Sequence, residues 1–508
     1  MLKRLSIKNI DLCDVLLSLD SVNNFCELNL DNVTMSNECK EVFCKSLSQC
    51  KKLKRLSIKN VDLCDALLSL DSVEYVDLDN ATMSKECKEV FCKSLSQFKN
   101  LQRLSIKNID LCDALLSLDS VKYINEVVID NVTMSKECKE MLCNSLSKCK
   151  GLKRLSIKNV DLCDALLSFD SVNYFSELKL DNVTMSKECK EMLCNSLSLC
   201  KELERLSIKN VDLCDALLSF DSVNYFSELK LDNVTMSKEC KEMLCNSLSL
   251  CKELERLSIK NVDLCDALLS FDSVNYFSEL KLDNVTMSKE CKEMLCNSLS
   301  LCKELERLSI KNVDLCDALL SFDSVNYFSE LKLDNVTMSK ECKEMLCNSL
   351  SLCKELKRLS IKNVDLCDGL HDLFNMKRLN YITLEGVKMG TLGKVLMCKS
   401  LCQCTQLMGL TLNNLDLGDG LLSLNNLEML RSLTIDNVTI CKDGYLMLCS
   451  SISTCKHLKL SLKDLGNAMP SLDNLKEFEL VNVTMSLECV DYIKSSEQDQ
   501  LLSILRQL

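Results

Sequence analysis

The sequence predicts an α/β solenoid, a parallel sheet backed by helices and built from repeats along all 508 residues. Three observations predict it. The segments starting at Leu203, Leu254 and Leu305 are identical over 51 residues, and the one at Leu152 differs from them only by Lys153. Looser copies start at Leu2, Leu53, Leu101, Leu356, Leu407 and near Leu458. Finally, each period carries strand-like alternation twice and a helical stripe after the second of these. Such units bury their apolar faces only against neighbours, so the period outweighs the three or four domains that length alone would suggest.

Each period splits into halves of 23 and 28 residues, giving about twenty units in ten pairs. The short half opens Leu152-x-x-Leu155-x-Ile157 and continues Asn159-Val160-Asp161-Leu162. The long half opens Phe175-x-x-Leu178-x-Leu180 and continues Asn182-Val183-Thr184-Met185. Alternation at 155 and 157, and again at 178 and 180, is the period of a half-buried strand. After the second strand Ser186 is placed to cap a helix, with Glu188 in its first turn to suit the dipole. Cys189, Met192, Leu193, Leu197 and Cys200 then fall on one arc and predict its core-facing stripe. The short half has room only for a brief helix, with Leu162, Leu166 and Phe169 facing inward.

This pattern resembles the leucine-rich repeat family over essentially the whole chain. The 28-residue half is similar to the ribonuclease-inhibitor type, whose arrays also form the C-terminal sensing arms of cytosolic NACHT-domain (NLR-type) receptors. The resemblance implies a curved horseshoe, its sheet on the concave side and its helices on the convex side. The chain departs from the family at the ninth position of the motif, where Val160 and Val183 replace Asn or Cys. Asn159 and Asn182 stand one step earlier, which removes the residue of the usual ladder at the strand exit. The single solenoid, 1–508, divides by character into a regular array, 1–355, and a divergent C-terminal array and cap, 356–508.

Composition excludes several classes. No apolar run approaches the 18 residues that would suggest a membrane span. Met1 leads directly into the repeat strand at Leu2-Lys3-Arg4-Leu5, without a signal peptide or a polar capping unit, which suggests that upstream sequence is missing. The C-terminal end, Ser495 into Leu501–Leu508, reads as a finished cap. Thirty-six cysteines in a long chain with an ample core read as reduced, buried thiols. Equivalent thiols in successive long halves lie roughly 10 Å apart, too far for a disulfide or a shared zinc ion. Only His371 and His457 offer imidazoles, and neither joins a ligand cluster, so no metal or cofactor is expected. Asn-x-Thr sequons at Asn32, Asn80, Asn131, Asn182, Asn233, Asn284, Asn335, Asn437 and Asn482 read as a strand exit copied with the repeat.

The surface between the buried strand positions neutralises itself. It carries Lys153, Arg154, Ser156 and Lys158 in the short half and Ser176, Glu177, Lys179 and Asp181 in the long half. Neighbouring strands set Arg154 beside Glu177 and Lys158 beside Asp181, and likewise Arg205 with Glu228, Arg256 with Glu279 and Arg307 with Glu330. Each pair is worth about 0–1 kcal/mol, but the alternation cancels any basic stripe. With a net charge of −12, this argues against nucleic acid, which needs clustered positive charge. Trp is absent from the whole chain and no aromatic residue occupies this face between 152 and 355, so the identical middle lacks interface anchors.

The last third differs. Nine of ten glycines, the only proline (Pro470) and both histidines lie beyond residue 356. The exposed strand positions become Asn380, Tyr381, Thr383 and Glu385; Met408, Gly409, Thr411 and Asn413; then Arg431, Ser432, Thr434 and Asp436. Tyr381, Thr383, Met408, Thr411, Arg431 and Thr434 form the candidate protein-binding patch. No glycine-rich phosphate loop, HExxH or GxSxG element is present, so catalysis is not expected. The reading that results is a cytoplasmic, non-catalytic array binding a protein partner, as the ligand-sensing or autoinhibitory arm of a larger receptor. A freestanding acidic inhibitor or scaffold for a basic protein, and a GTPase-activating or ubiquitin-ligase adaptor, are the alternatives.

Overall fold

The computed structural model describes residues 3–12, 26–64, 73–98, 100–172, 174–322, 324–367, 376, 378–452, 459–466 and 477–485. Two compact units, Met1–Leu254 and Glu255–Leu508, each hold part of the array. In the first, parallel strands run in constant register from Arg4–Asp11 to Glu228–Met236, with Glu177 opposite both Arg154 and Arg205. In the second they run from Arg256–Lys260 to Glu477–Met485, with Glu279 opposite Arg256 and Arg307. This is the expected α/β solenoid: strands share one side, and a helix follows each long-half strand through Lys442–Ile452.

Local chemistry sets each element. In the strand Arg154–Cys163, Leu155 and Ile157 are buried on alternate positions, and then both Lys158 and Asn159 face solvent. Asn159 sits at φ 52°, a left-handed conformation that Asn tolerates better than most residues. That one residue shifts the alternation by a step, so Val160 and Leu162 return to the core. The Asn position one step early is therefore a phase changer. At the strand exit these residues form an exposed ladder, in which the Asn182 amide donates to Asn159 (3.0 Å) and Asn159 donates to Asp130 (3.0 Å). The Thr184 hydroxyl donates to Asp161, so both polar side chains of the sequon at Asn182 are built into the strand exit.

The helix Lys187–Leu199 starts where Ser186 predicts. The Cys189 N–H donates to Ser186 Oγ at 3.3 Å, Glu188 occupies the first turn, and Cys200 ends the helix through its N–H to the Leu197 carbonyl. Cys189, Leu193, Cys194, Ser196 and Leu197 face the core, and the Cys189 thiol donates to the Ala165 carbonyl (3.0 Å). Met192 is not in that stripe; it is 37% exposed, because the buried arc is centred on Leu193 and Cys194.

The short half corrects the sequence reading. Residues 164–172 form turns and extended chain, not a brief helix. Burial there follows period two, with Ala165, Leu167 and Phe169 inside and Leu166 exposed at 39%. Phe169 stacks on Phe175 at 3.9 Å between centroids, and the pair recurs as Phe220–Phe226, Phe271–Phe277 and Phe322–Phe328.

No disulfide joins the cysteines among the described residues. Burial, with neighbouring thiols contributing less, pushes Cys143, Cys194 and Cys296 up to about 12. Among the described residues no cluster of His, Cys, Asp or Glu is placed to hold a metal ion. His371, His457, Pro470 and the segment 501–508 lie outside the described residues. No helix among the described residues is long and apolar enough to cross a membrane.

Candidate interaction surface

Two exposed rows of polar chemistry run along the array. The first lies at the strand exits. Lys190, 11% exposed at its side chain, places its ammonium 3.2 Å from Asp212 and 3.1 Å from the Cys214 thiol of the next repeat. The Cys214 thiol donates to the same carboxylate at 2.6 Å, and the Thr235 hydroxyl donates to it as well. Hydrogen bonds from the thiol and the hydroxyl hold Asp212 well below the usual carboxylate range despite burial. Lys139 with Asp161 and Cys163, and Lys292 with Asp314 and Cys316, repeat the arrangement. Lys190 is the link that crosses from one 51-residue period to the next, and the thiol and hydroxyl bonds to Asp212 hold its acceptor in place within that period.

The second row is the solvent face of the sheet. Glu177 faces Arg154 and Arg205 in register, and Arg205 faces Glu228. Arg4 and Arg103 close forward onto Glu27 (2.6 Å) and Glu126 (3.2 Å), whereas Arg154, Arg205 and Arg307 reach back to the preceding long half, to Glu126 (3.0 Å), Glu177 (3.5 Å) and Glu279 (2.9 Å). The forward glutamate is taken by the lysine two residues on, as in Glu177–Lys179 (2.5 Å), Glu228–Lys230 (2.5 Å) and Glu330–Lys332 (2.6 Å). Lys158 approaches Asp181 at 4.0 Å. Arg256 stands in register with Glu279, whose pKa burial would raise but which Lys281 and Arg307 hold low.

In the second unit this alternation stops. Along the Arg/Glu row, Arg307, Glu330 and Arg358 are followed by Tyr381, Gly409 and Ser432. Arg358 lays its guanidinium over the Tyr381 ring at 5.1 Å. On the other side Gly409 makes room for the ring, because a Cβ there would stand 2.7 Å from Tyr381 Cδ1. The ring lies on the sheet between a cation and bare backbone, 42% exposed. The next row becomes Thr383, Thr411 and Thr434, in register and half-buried. Met408 is half-exposed and Arg431 exposed, each at the entry to its strand.

Beside this patch opens a cleft of about 660 Å³ lined by Lys357, Arg378, Asn380, Gln403, Thr405 and Gln406 among others. Arg378 is held by Glu355 across its rim. The structure thus brings Tyr381, Thr383, Met408, Thr411, Arg431 and Thr434 onto three adjacent strands. Sequence reasoning placed Gly409 on this face without a role and missed Lys357 and Arg358. The signal was present: an arginine stands in the ladder's arginine position opposite a tyrosine in the glutamate position. The same exchange occurs at Tyr75 in the first unit, where Arg55 lies 4.5 Å over the ring. There the hydroxyl is engaged by Gln102 at 2.8 Å.

Parallel strands in register, the long-half strands through Ser432–Thr439 each followed by a helix, are the leucine-rich-repeat fold. No family model and no curated protein matches the sequence. Among solved structures the chain is similar to TLR13 in a complex with ssRNA13 (12% identity, 95% of this chain and 81% of that one, TM-score 0.47). It is also similar to a leucine-rich-repeat protein of Leptospira interrogans (16% identity, 89% of each chain, TM-score 0.39). A third is the plant peptide hormone receptor RGFR1 in complex with RGF2 (12% identity, 95% of each chain, TM-score 0.33).

Proposed function

We propose that this chain is a non-catalytic protein-interaction array that works as the ligand-sensing or autoinhibitory arm of a larger cytoplasmic receptor. Its partner docks on the patch around Tyr381, Met408 and Arg431. The observation that supports this reading is the replacement of Glu, the ladder's alternating residue, by Tyr381 and then Gly409. Where the ladder is complete, its Arg/Glu pairs close within the sheet and the rungs are copies of one another, which suits stacking and gives a partner nothing unique to read. At Tyr381 the sheet presents an aromatic ring supported from below, the kind of rigid anchor that carries binding energy at interfaces.

The test is quantitative affinity purification from the source cells with Tyr381→Ala, Arg431→Ala and Arg205→Glu. A specific partner retained by wild type and Arg205→Glu but lost with the first two supports the assignment. Retention by Tyr381→Ala, or loss with Arg205→Glu alone, overturns the placement. An antibody to the repeat should detect a native polypeptide well longer than 508 residues; a band matching this chain alone would end the receptor-arm reading.

A further inference from the structure

The charges around this patch are unbalanced in a way that names the chemistry of its occupant. Three carboxylates border it, and each is already taken. Glu330 is bonded to Lys332 (2.6 Å), Glu355 to Arg378, and Glu385 to Lys362 (2.7 Å). Lys357, Arg358 and Arg431 have no carboxylate within 4.0 Å among the described residues, although the chain as a whole carries a net charge of −12. Lys357 lines the cleft, Arg358 covers the Tyr381 ring, and Arg431 stands on the strand beyond Met408. Apolar Tyr381 and Met408 lie between these cations. In the other rows Asp436 is the remaining acid, three positions along its strand from Thr434's neighbour Leu433 and away from the strand entries where the cations gather.

The geometry points to an acidic, extended peptide segment as the ligand of this face, with carboxylates on Lys357 and Arg431 and an apolar side chain against Tyr381 and Met408. The inference rests on the preceding assignment of this patch as the docking site. Charge complementarity selects the occupant: a basic segment would meet three unpartnered cations, and a neutral one would leave them unpaired beneath it. A nucleic acid strand is the poorer fit. A strand held largely by its phosphates needs clustered positive charge, and on the strands before Arg358 every arginine alternates with a glutamate.

The experiment is selection of a random peptide library displayed on phage against the full chain, followed by competition with variants. Enriched peptides should carry net negative charge and one or more large apolar residues. Their binding should weaken at least about tenfold in Lys357→Glu and Arg431→Glu and stay unchanged in Arg205→Glu. Lys357→Gln and Arg431→Gln, with unchanged circular dichroism, should give a smaller loss in the same order. Neutral or basic peptides that still compete at the patch would overturn the acidic ligand while leaving the docking site standing. Absence of enrichment, or enrichment indifferent to Tyr381→Ala, would overturn both. Tighter binding of a fluorescent single-stranded RNA, lost in the same charge reversals, would replace the peptide by a nucleic acid.

Discussion

Replacing Leu104 by Ala tests whether this array is held together repeat by repeat. Leu104 is fully buried in the strand Arg103–Cys112, facing Val76 and Val127 on its two neighbours. Both neighbours are β-branched and fixed to paired backbone, so the space left by the deleted isobutyl group collapses little. The cost then lies within the range for buried Leu→Ala, about 3 kcal/mol. Local opening of the three strands should rise on the order of 100-fold, since about 1.4 kcal/mol is a factor of ten. Hydrogen exchange read by mass spectrometry suits this site, because Tyr75–Asp79 and Glu126–Met134 have sequences unlike their counterparts in the identical repeats. Exchange should accelerate in these segments and stay unchanged in Tyr381–Glu385 and Gly409–Asp416. Equal acceleration across all peptides would refute nearest-neighbour stabilisation and require one cooperative unit.

Other expectations follow from single contacts. Ser135→Ala removes the cap that accepts the Cys138 N–H, costing about 1 kcal/mol and raising exchange roughly fivefold within Lys136–Lys148; no change there would deny the cap a role. Asp110 and Asp314 are held down at about 2, first by a thiol and then by a threonine hydroxyl. Because the folded value lies below the unfolded one, the stability they add is complete above about pH 4 and is lost as pH falls toward 2. Asp110→Asn should therefore shrink the drop in Tm between pH 5 and pH 2, and an unchanged drop would count against the contact. Iodoacetamide should label half-exposed Cys112 before buried Cys143, whose thiol burial pushes up to about 12, with the rates differing by at least about 100-fold until the chain unfolds. Similar native rates would contradict the packing.

Most of the fold was legible because its signals are local and repeated. Leu155, Ile157 and Ser186 each declare a strand or a cap without reference to distant residues. The misreadings came where a period was assumed. Helical spacing over residues 164–172 selects Leu166, whereas burial there alternates and selects Ala165, Leu167 and Phe169. Asn159 looked displaced because its left-handed φ, which changes the phase of the strand, leaves no trace in a hydrophobicity pattern. At the candidate surface, Tyr381 and Met408 could be named from sequence. The room that Gly409 gives the ring and the cation Arg358 lays over it depend on a register between repeats of unequal sequence, and so needed coordinates.

The constant register has an evolutionary consequence. Within the second unit, Glu279 pairs with Arg307 on one strand, and the strand Arg358–Lys362 carries the same five residues as Arg307–Lys311. Excising residues 305–355 would present Glu279 with Arg358 and recreate the junction that was removed. Recombination between identical copies can therefore change the length of this protein in whole 51-residue steps without unmaking an interface. Selection is left free to act on how far the divergent end is carried from the rest of the chain, and any cut out of step with the period would be lost to misfolding.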